Sequence, residues 1–277
     1  LMTPYSCPNY RYEGYAVYTN TPSSGAFRGF SSVPPHFVME SDINQIAEEL
    51  GIDPIEFRMK NRRRTGEINP YNNVPNIATG FDECMLRGAE RIGWSRRGKA
   101  GEVGGVKKRG MGMASLCHYA PGVSGALPSL LLEFPGCAEV RVNADGTVHL
   151  LIGVPDLGEG ISTGCAQIAA EELGVRLEDV TVTNADTDTT PWGGGVGASQ
   201  TLMRTGGATR AAAAKAKQQL LEEASKMLGV PAEELVARDR RIHVRGKPEK
   251  GVAIADVVRH RGYTVAGSEY EYYPPMY

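Results

Sequence analysis

Three short stretches of the chain concentrate residues able to hold or orient a ligand: "SSGAFRGFSS" (23–32), "PDLGEGIST" (155–163) and "WGGGVGASQT" (192–201). Each is rich in glycine and small residues, which let a backbone come close to a bound molecule. In the first, Arg28 supplies a fixed positive charge, and Gly29 lets Arg28 and Phe30 point apart. The second and third each lead into an expected helix, where free backbone N–H groups and the helix dipole favour an anion. Ser199, Gln200 and Thr201 add short hydrogen-bonding side chains there. Taken singly each loop reads as a plain turn; together they suggest a large, phosphorylated ligand held through the backbone.

Other phosphate-binding signatures are missing. No G-x-x-x-x-G-K-[ST] run occurs anywhere. The G-x-G of Gly158 to Gly160 lacks the third glycine of a dinucleotide fingerprint, and "GGGVG" opens no obvious βαβ unit. The five cysteines, at 7, 84, 117, 137 and 165, have none of the short spacings of a zinc or iron–sulfur site. They read as ordinary buried thiols in a reducing cytoplasm. His36 and His118 lack metal-ligand spacing and read as structural. Asp186 and Asp188 of "ADTDTTP" read as turn caps before Pro191, and Arg62, Arg63 and Arg64 as a solvated, basic helix end.

A chain of 277 residues with 41% apolar content can bury one large or two ordinary cores. Its net charge of −2 gives no reason to expect nucleic acid or an anionic membrane as partner. No apolar run approaches the roughly 20 residues of a membrane span. The opening "LMTPYSCPNY" has no cationic region followed by an apolar segment, so no leader is expected.

The elements that must position the loops form an α+β pattern. Ile43, Ile46, Ala47 and Leu50 follow helical spacing and predict a helix over about 35–50, stopped by Gly51. "DPIEF" restarts one, with Asp53 as N-cap, Pro54 at the first helical position and Glu56 closing a capping box, running to about Asn61. A third helix is expected over 82–92. "AEVRVNADGTVHLLIG" reads as a hairpin turning at Asn143 to Gly146. A helix ending at Gly174 and a strand in "EDVTVTNADT" follow. An alanine-rich helix is expected from about Gly206 to Leu228, its alanines serving packing.

The stretches "PNYRYEGYAVYTNTPSSGAFRGF", "EELGIDPIEFRMKN", "GVPDLGEGISTGCAQIAAEELG" and "VGASQTLMRTGGATRAA" resemble, in this order and spacing, the molybdopterin-binding subunit of the molybdenum hydroxylases. That family includes xanthine dehydrogenase, nicotinate dehydrogenase and the aldehyde oxidoreductases. The resemblance spans about residues 8–225. It implies an α+β molybdopterin-binding fold, incomplete at both ends. Residues 1–110 would close a first cofactor-binding domain and residues 111–277 would begin a second.

The resemblance also assigns roles. Ala26, Phe27, Arg28 and Gly29 match the loop lying against the molybdenum and its ligands, with Arg28 facing the metal centre. Phe30 matches an aromatic that packs on flat substrates. Gly158, Glu159 and Gly160 match a Gly-Gln-Gly turn that contacts the pterin, with Glu159 standing for Gln. Ala198, Ser199, Gln200 and Thr201 match a stretch cradling the pterin and phosphate. A second substrate-packing Phe of purine-oxidising relatives has only Tyr119 near its place. No residue of this chain is expected to ligate the metal directly.

The family's glutamate base, in a Gly-x-Gly-Glu setting, has no counterpart before "EYEYYPPMY", so the base is expected outside this chain. The chain resembles the middle of a longer subunit or one piece of a split one. The implied activity is hydroxylation of an N-heteroaromatic substrate of purine or nicotinate type, with oxygen from water. The cofactor would be a molybdopterin in its cytosine dinucleotide form. Iron–sulfur (2Fe-2S) and FAD subunits would be partners, together with the rest of the molybdopterin subunit, in the cytoplasm. An aldehyde oxidoreductase is the alternative, as is a non-catalytic scaffold piece. A carbon monoxide dehydrogenase is disfavoured because "GAFRGF" holds no Cys.

Overall fold

The computed structural model describes residues 4–9, 11–25, 29, 32–69, 74–76, 79–98, 106–108, 110–117, 136–197, 199–262 and 264–271. The chain divides into two compact units, one holding the described residues up to Cys117 and the other those from Gly136 onward.

In the first unit, α1 (Val33–Glu49), α2 (Pro54–Asn61) and α3 (Phe81–Ile92) accompany a two-stranded ribbon, β1 (Ile68–Asn69) and β2 (Val74–Pro75). The helix starts follow from local chemistry. Asp53 Oδ1 accepts from the Ile55 and Glu56 amides at 2.7 and 3.3 Å, with Pro54 at the first helical position. The cap is one-sided, since among the described residues no side-chain bond returns from Glu56. Asp53 Oδ2 is taken instead by Trp94 Nε1 at 3.1 Å and Arg97 at 2.5 Å, and Arg97 stacks 4.5 Å over the Trp94 ring.

The interior of this unit holds a polar cluster beside buried Ala47, Met85 and Trp94. Glu40 on α1 and Arg58 on α2, both almost fully buried, form an ion pair at 2.8 Å. Glu40 also accepts from the Tyr5 hydroxyl at 2.6 Å and from the Ser115 amide at 2.8 Å. Arg58 spends its other donors on the Pro54 and Glu40 carbonyls. Every member is satisfied, which is the condition under which a buried charge pair is tolerated. Burial and the neighbouring Glu40 carboxylate push the Tyr5 phenol upward, so it stays a donor. His36 is structural as expected: Nδ1 bonds the Ser32 carbonyl at 2.6 Å and Nε2 accepts from the Cys117 amide at 3.2 Å.

The basic run after α2 departs from expectation. Arg62 pairs with Asp82 and the Met59 carbonyl, and only Arg64 of the three is exposed. The chain's start covers the run: the Ser6 amide bonds Asn61 O and the Arg63 amide bonds Pro4 O, both at 2.8 Å. Tertiary pairing has overridden the plain helix-end reading. The cysteines also split. Cys137 and Cys165 are buried, but Cys7 and Cys84 are exposed.

The second unit is built on a four-stranded sheet of order β5-β4-β3-β9. Here β3 (Gly136–Val142) and β4 (Val148–Ile152) form the expected hairpin through Asn143 to Gly146. Ala138, Val140 and Val142 face the core, while Glu139 and Arg141 pair on the other face at 2.7 Å. From β4 the chain crosses through α4 (Ile161–Leu173) to β5 (Val180–Asn184), which pairs with β4 in parallel. The long α5 (Thr201–Leu228) then packs on β3 and on β9 (Val265–Glu271). Ala208, Ala212, Ala213, Ala216 and Ala224 are its buried face. The sheet comes close enough that a Cβ on Gly136 or Gly267 would strike an α5 carbonyl, of Arg204 or Ala212.

α5 begins five residues before its expected start. Gly206, where the sequence predicts the helix to begin, lies inside it, and a Cβ there would press on Ile168 of α4 at 2.8 Å. A second, three-stranded sheet of β6 (Leu235–Arg238), β7 (Arg241–Val244) and β8 (Lys247–Ala253), with α6 (Ile254–Arg261), completes the unit. Its first turn, Asp239-Arg240, has both residues at positive φ and is pinned by an Arg240–Asp179 ion pair. Among the described residues no helix is long and apolar enough to cross a membrane.

The buried pair yields a test of the first unit. Glu40→Leu alone strands a buried guanidinium and should cost about 3–5 kcal/mol in denaturant unfolding. Adding Arg58→Met should recover more than half of that loss. Equal losses for the single and double variants would show that the pair is not what the unit rests on.

Candidate functional site

The second and third loops of the sequence meet at one edge of the second unit's main sheet. β4 and β5 run parallel, so residues 153–160 and 185–200 leave from the same end, and α4 and α5 both start there. This is the place where a strand-loop-helix arrangement points backbone donors outward.

Glycines set the spacing. A Cβ on Gly153 would strike the Pro191 carbonyl, and one on Gly193 would strike the Gly153 carbonyl, so the two loops touch backbone to backbone. One turn further, Gly164 in α4 lets Leu202 of α5 approach to 3.0 Å of where a Cβ would stand. Asn184 Nδ2, at the end of β5, donates to Ser162 Oγ in the first turn of α4 at 3.2 Å. Above these contacts the surface is open. Gly158, Gly160, Gly195 and Gly197 have no neighbouring atom within 4 Å of a built Cβ, and the first three have positive φ.

The two helix starts differ electrically. At α4 the Asp156 carboxylate already accepts from the Gly158 amide at 2.8 Å and the Gly160 amide at 3.2 Å. Those bonds, with a further one from Ser162, hold its carboxyl below the usual carboxylate range despite a small opposing desolvation. Glu159 Oε2 is folded back onto the Leu157 amide at 2.8 Å. Neither helix has a side-chain cap or an acidic residue in its first turn, so the difference rests on Asp156 and Glu159, which lie just ahead of α4. Gln200 and Thr201 are more than nine-tenths buried. Ser199, just before them, holds a left-handed φ of 57° without being glycine, a conformation that is kept only when its surroundings impose it.

The structure places Gly158, Glu159 and Gly160 ahead of α4 and Ser199, Gln200 and Thr201 at the start of α5, on loops that leave the same end of the main sheet. Gly29 belongs to the first unit, where its φ of 92° and the Ser32-to-Gly29 amide bond of 2.8 Å make the turn into α1. Ala26, Phe27, Arg28, Phe30 and Ala198 lie outside the described residues, as do His118 and Tyr119. Asp186 caps its own turn as expected, accepting from the Asp188 amide at 2.9 Å. Among the described residues no group of three or more His, Cys, Asp or Glu is arranged to hold a metal.

Asp156 and the Gly153–Gly193 contact are the features that reading the sequence misses. An Asp two residues ahead of a Gly-x-Gly is a turn signal of its own, whereas the glycine contact joins loops 40 residues apart and leaves no local trace.

The sequence profile of the molybdopterin cofactor-binding domain matches residues 87–276, and a second profile of the same description matches residues 1–62. The chain belongs to the molybdopterin cofactor-binding domain family. It is 33% identical over 243 residues to the xanthine dehydrogenase molybdenum-binding subunit of Escherichia coli O157:H7, covering 87% of this chain and 32% of that protein. It is 32% identical over 250 residues to the aldehyde oxidoreductase of Megalodesulfovibrio gigas, covering 87% and 26%. The chain thus spans about a third or less of these relatives' length. The solved CO dehydrogenase of Oligotropha carboxidovorans shares the fold, with a TM-score of 0.69 at 22% identity over 93% of this chain and 35% of that one. The α+β molybdopterin-domain fold expected from the sequence is the fold observed.

Within a molybdopterin cofactor-binding domain, the loops carry a pH signature. Asp156 is lowered in the folded state, so its stabilising bonds are present above the ordinary aspartate pKa of about 4 and are lost as pH falls through its folded value. Asp156→Ala should therefore melt below wild type at neutral pH, and the gap should close in acid. Thermal melts from about pH 7 down to about pH 2 check this; a gap independent of pH would remove Asp156 from its place as the loop's internal anion.

Proposed function

We propose that this chain is the cofactor-holding part of a molybdenum hydroxylase that hydroxylates an N-heteroaromatic substrate of purine or nicotinate type. One observation carries the reading: two helix starts and two glycine-rich loops converge at the ends of parallel strands, in a chain of the molybdopterin cofactor-binding domain family. The residues present fit a phosphorylated pterin. The bare glycine surfaces at 158, 160, 195 and 197 leave room for a flat ring system against backbone. The uncapped start of α5 offers amides to an anionic group, and the buried Gln200 and Thr201 side chains stand beside them.

Asp156 gives the two helices different tasks. By taking the Gly158 and Gly160 amides just ahead of α4 it sets its own negative charge beside that helix start, and it leaves α5 to meet a ligand's negative charge. When bound, the molybdenum cofactor supplies oxygen transfer and accepts the electron pair. Arg28 would set a fixed charge toward the metal and Phe30 would orient a flat substrate. The base glutamate, and any direct metal ligand, lie outside this chain. We further assign the cytosine dinucleotide form of the cofactor, 2Fe-2S and FAD subunits as electron partners, the remainder of the molybdopterin subunit as structural partner, and a cytoplasmic setting. Aldehydes are the second substrate class, favoured by the near-equal identity to the aldehyde oxidoreductase.

The assembled protein should contain molybdenum and a pterin, and should move oxygen from labelled water into its product. The isolated 277-residue chain should hydroxylate nothing, because it lacks the base; measurable turnover by the chain alone would count against the assignment.

Substrate class is decided at Phe30. An aromatic contact contributes about 0.5–1.5 kcal/mol beyond area burial, and it also orients the ring. Phe30→Ala should slow a heteroaromatic substrate about tenfold or more, with cofactor content intact and a small aldehyde barely affected. Equal losses on both substrates together with a lower melting temperature would make Phe30 a core residue.

A further inference from the structure

Residues 11–19, "RYEGYAVYT", belong to no helix, strand or turn, and make no backbone–backbone hydrogen bond among the described residues. Their side-chain contacts there are local. Arg11 pairs with Glu13, Thr19 bonds Thr21, and the Tyr12 ring lies 3.1 Å from where a Cβ on Gly14 would stand. Tyr12, Tyr15 and Val17 are 72%, 84% and 75% exposed, and Tyr18 is fully exposed. So dense a run of exposed apolar side chains marks an interaction surface.

The composition is that of a strand and not of a linker. Tyr and Val are strand formers, whereas disordered segments are poor in aromatic and β-branched residues. On a pleated backbone Tyr12 and Tyr18 fall on one side, with Gly14 and Ala16 between them, while Tyr15 and Val17 fall on the other. Apolar groups on both sides describe a strand covered on both faces, inside a layered domain. Among its described residues the first unit has no sheet to receive one, since the β1–β2 ribbon consists of two residue pairs.

We propose that residues 11–18 are a docking strand, which adds to a sheet supplied by the remainder of the molybdopterin subunit. Length points to that partner: the chain covers 32% and 26% of the two relatives, so most of such a subunit lies outside it. A strand covered on both faces also calls for a permanent neighbour, which another part of the same subunit is. Backbone hydrogen bonds hold the strand, and its alternating side chains fill the two faces of the receiving sheet. The strand leads in sequence into the loop carrying Arg28 and Phe30, whose far side is tied to α1 by the Ser32-to-Gly29 bond. Docking thus fixes the leading side of that loop. The proposal rests on the remainder of the subunit as partner, and not on the substrate or metal chemistry assigned above.

Hydrogen exchange read by mass spectrometry, on the 277-residue chain and on the assembled protein, follows the strand's own amides. In the chain alone residues 11–18 should exchange at the unprotected rate. In the assembled protein every second amide or more should exchange about a hundredfold or more slowly. Tryptic cleavage after Arg11 should follow the same pattern. Neighbouring amides of a strand point to opposite edges, so at least one of Ala16→Pro and Val17→Pro removes a ladder bond. That variant should enter the assembly about tenfold or more weakly, while the melting temperature of the chain alone stays unchanged. Protection in the chain alone, unchanged exchange on assembly, or normal incorporation of both variants would each overturn the proposal. Protection that grows with the concentration of the chain alone would assign the strand to a second copy, and a melting temperature lowered by either proline would seat it within the first unit; both overturn it. An assembled protein that holds no molybdenum or pterin, yet protects residues 11–18, would end the functional reading and support this one.

Discussion

The site depends on the distance between two backbones. Gly153 and Gly193 face each other across neighbouring loops with no room for a side chain on either. Because β4 and β5 are parallel and adjacent, their loops leave the sheet side by side, and this contact holds them together at the edge. Everything placed there inherits its position from it: the turn at Gly158 to Gly160, the strained Ser199, and the first turns of α4 and α5 packed through Gly164 and Leu202. Deeper in the unit the same device recurs, with Gly136 and Gly267 letting the sheet rest on the alanine face of α5. Small residues here fix geometry by close approach, which a larger core would blur.

On that scaffold the two helix starts are made unlike. A helix start is an anion site by default, and a protein can fill it from within or leave it for a ligand. Asp156 sets a carboxylate on the loop amides just ahead of α4, with Glu159 turned back on the same loop. α5 keeps its first turn free of acidic residues and uncapped by Gln200. The loop at α4 is thus preorganised before anything binds, and preorganisation lowers the cost of ordering it around a ligand. The first unit handles charge in the opposite way, by burying Glu40 and Arg58 within a complete set of partners.

How much of this the sequence reveals follows from how local each cause is. α1, α2 with its Asp53-Pro54 start, the β3–β4 hairpin and the end of α4 at Gly174 are written in caps, turns and periodicity, and all are where they were expected. The strands β6 and β7 are short, β8 opens on charged residues, and the Asp239-Arg240 turn lacks the glycine that advertises positive φ. It is held by Asp179, some sixty residues away, a cause no local window contains. The first turn of α5 lies ahead of the alanine-rich run, and the use of Gly206 within the helix depends on Ile168 of α4, which is distant in sequence. The site loops are legible as glycine-rich segments, and their partnership with one another is not. The same limit hides the Glu40–Arg58 pair and the enclosure of Arg63, which depend on the chain's opening residues folding back over α2.

The central claim is that one cofactor sits across both loops, with its negative charge toward α5. Anomalous scattering at the molybdenum edge, combined with a density map of the assembled protein, tests it most directly. The account predicts pterin density over Gly158 and Gly160, with its phosphate within hydrogen-bond reach of the α5 first-turn amides and Asp156 still bonded to its own loop. Pterin density remote from both helix starts, or a phosphate that has displaced Asp156 at α4, would contradict it.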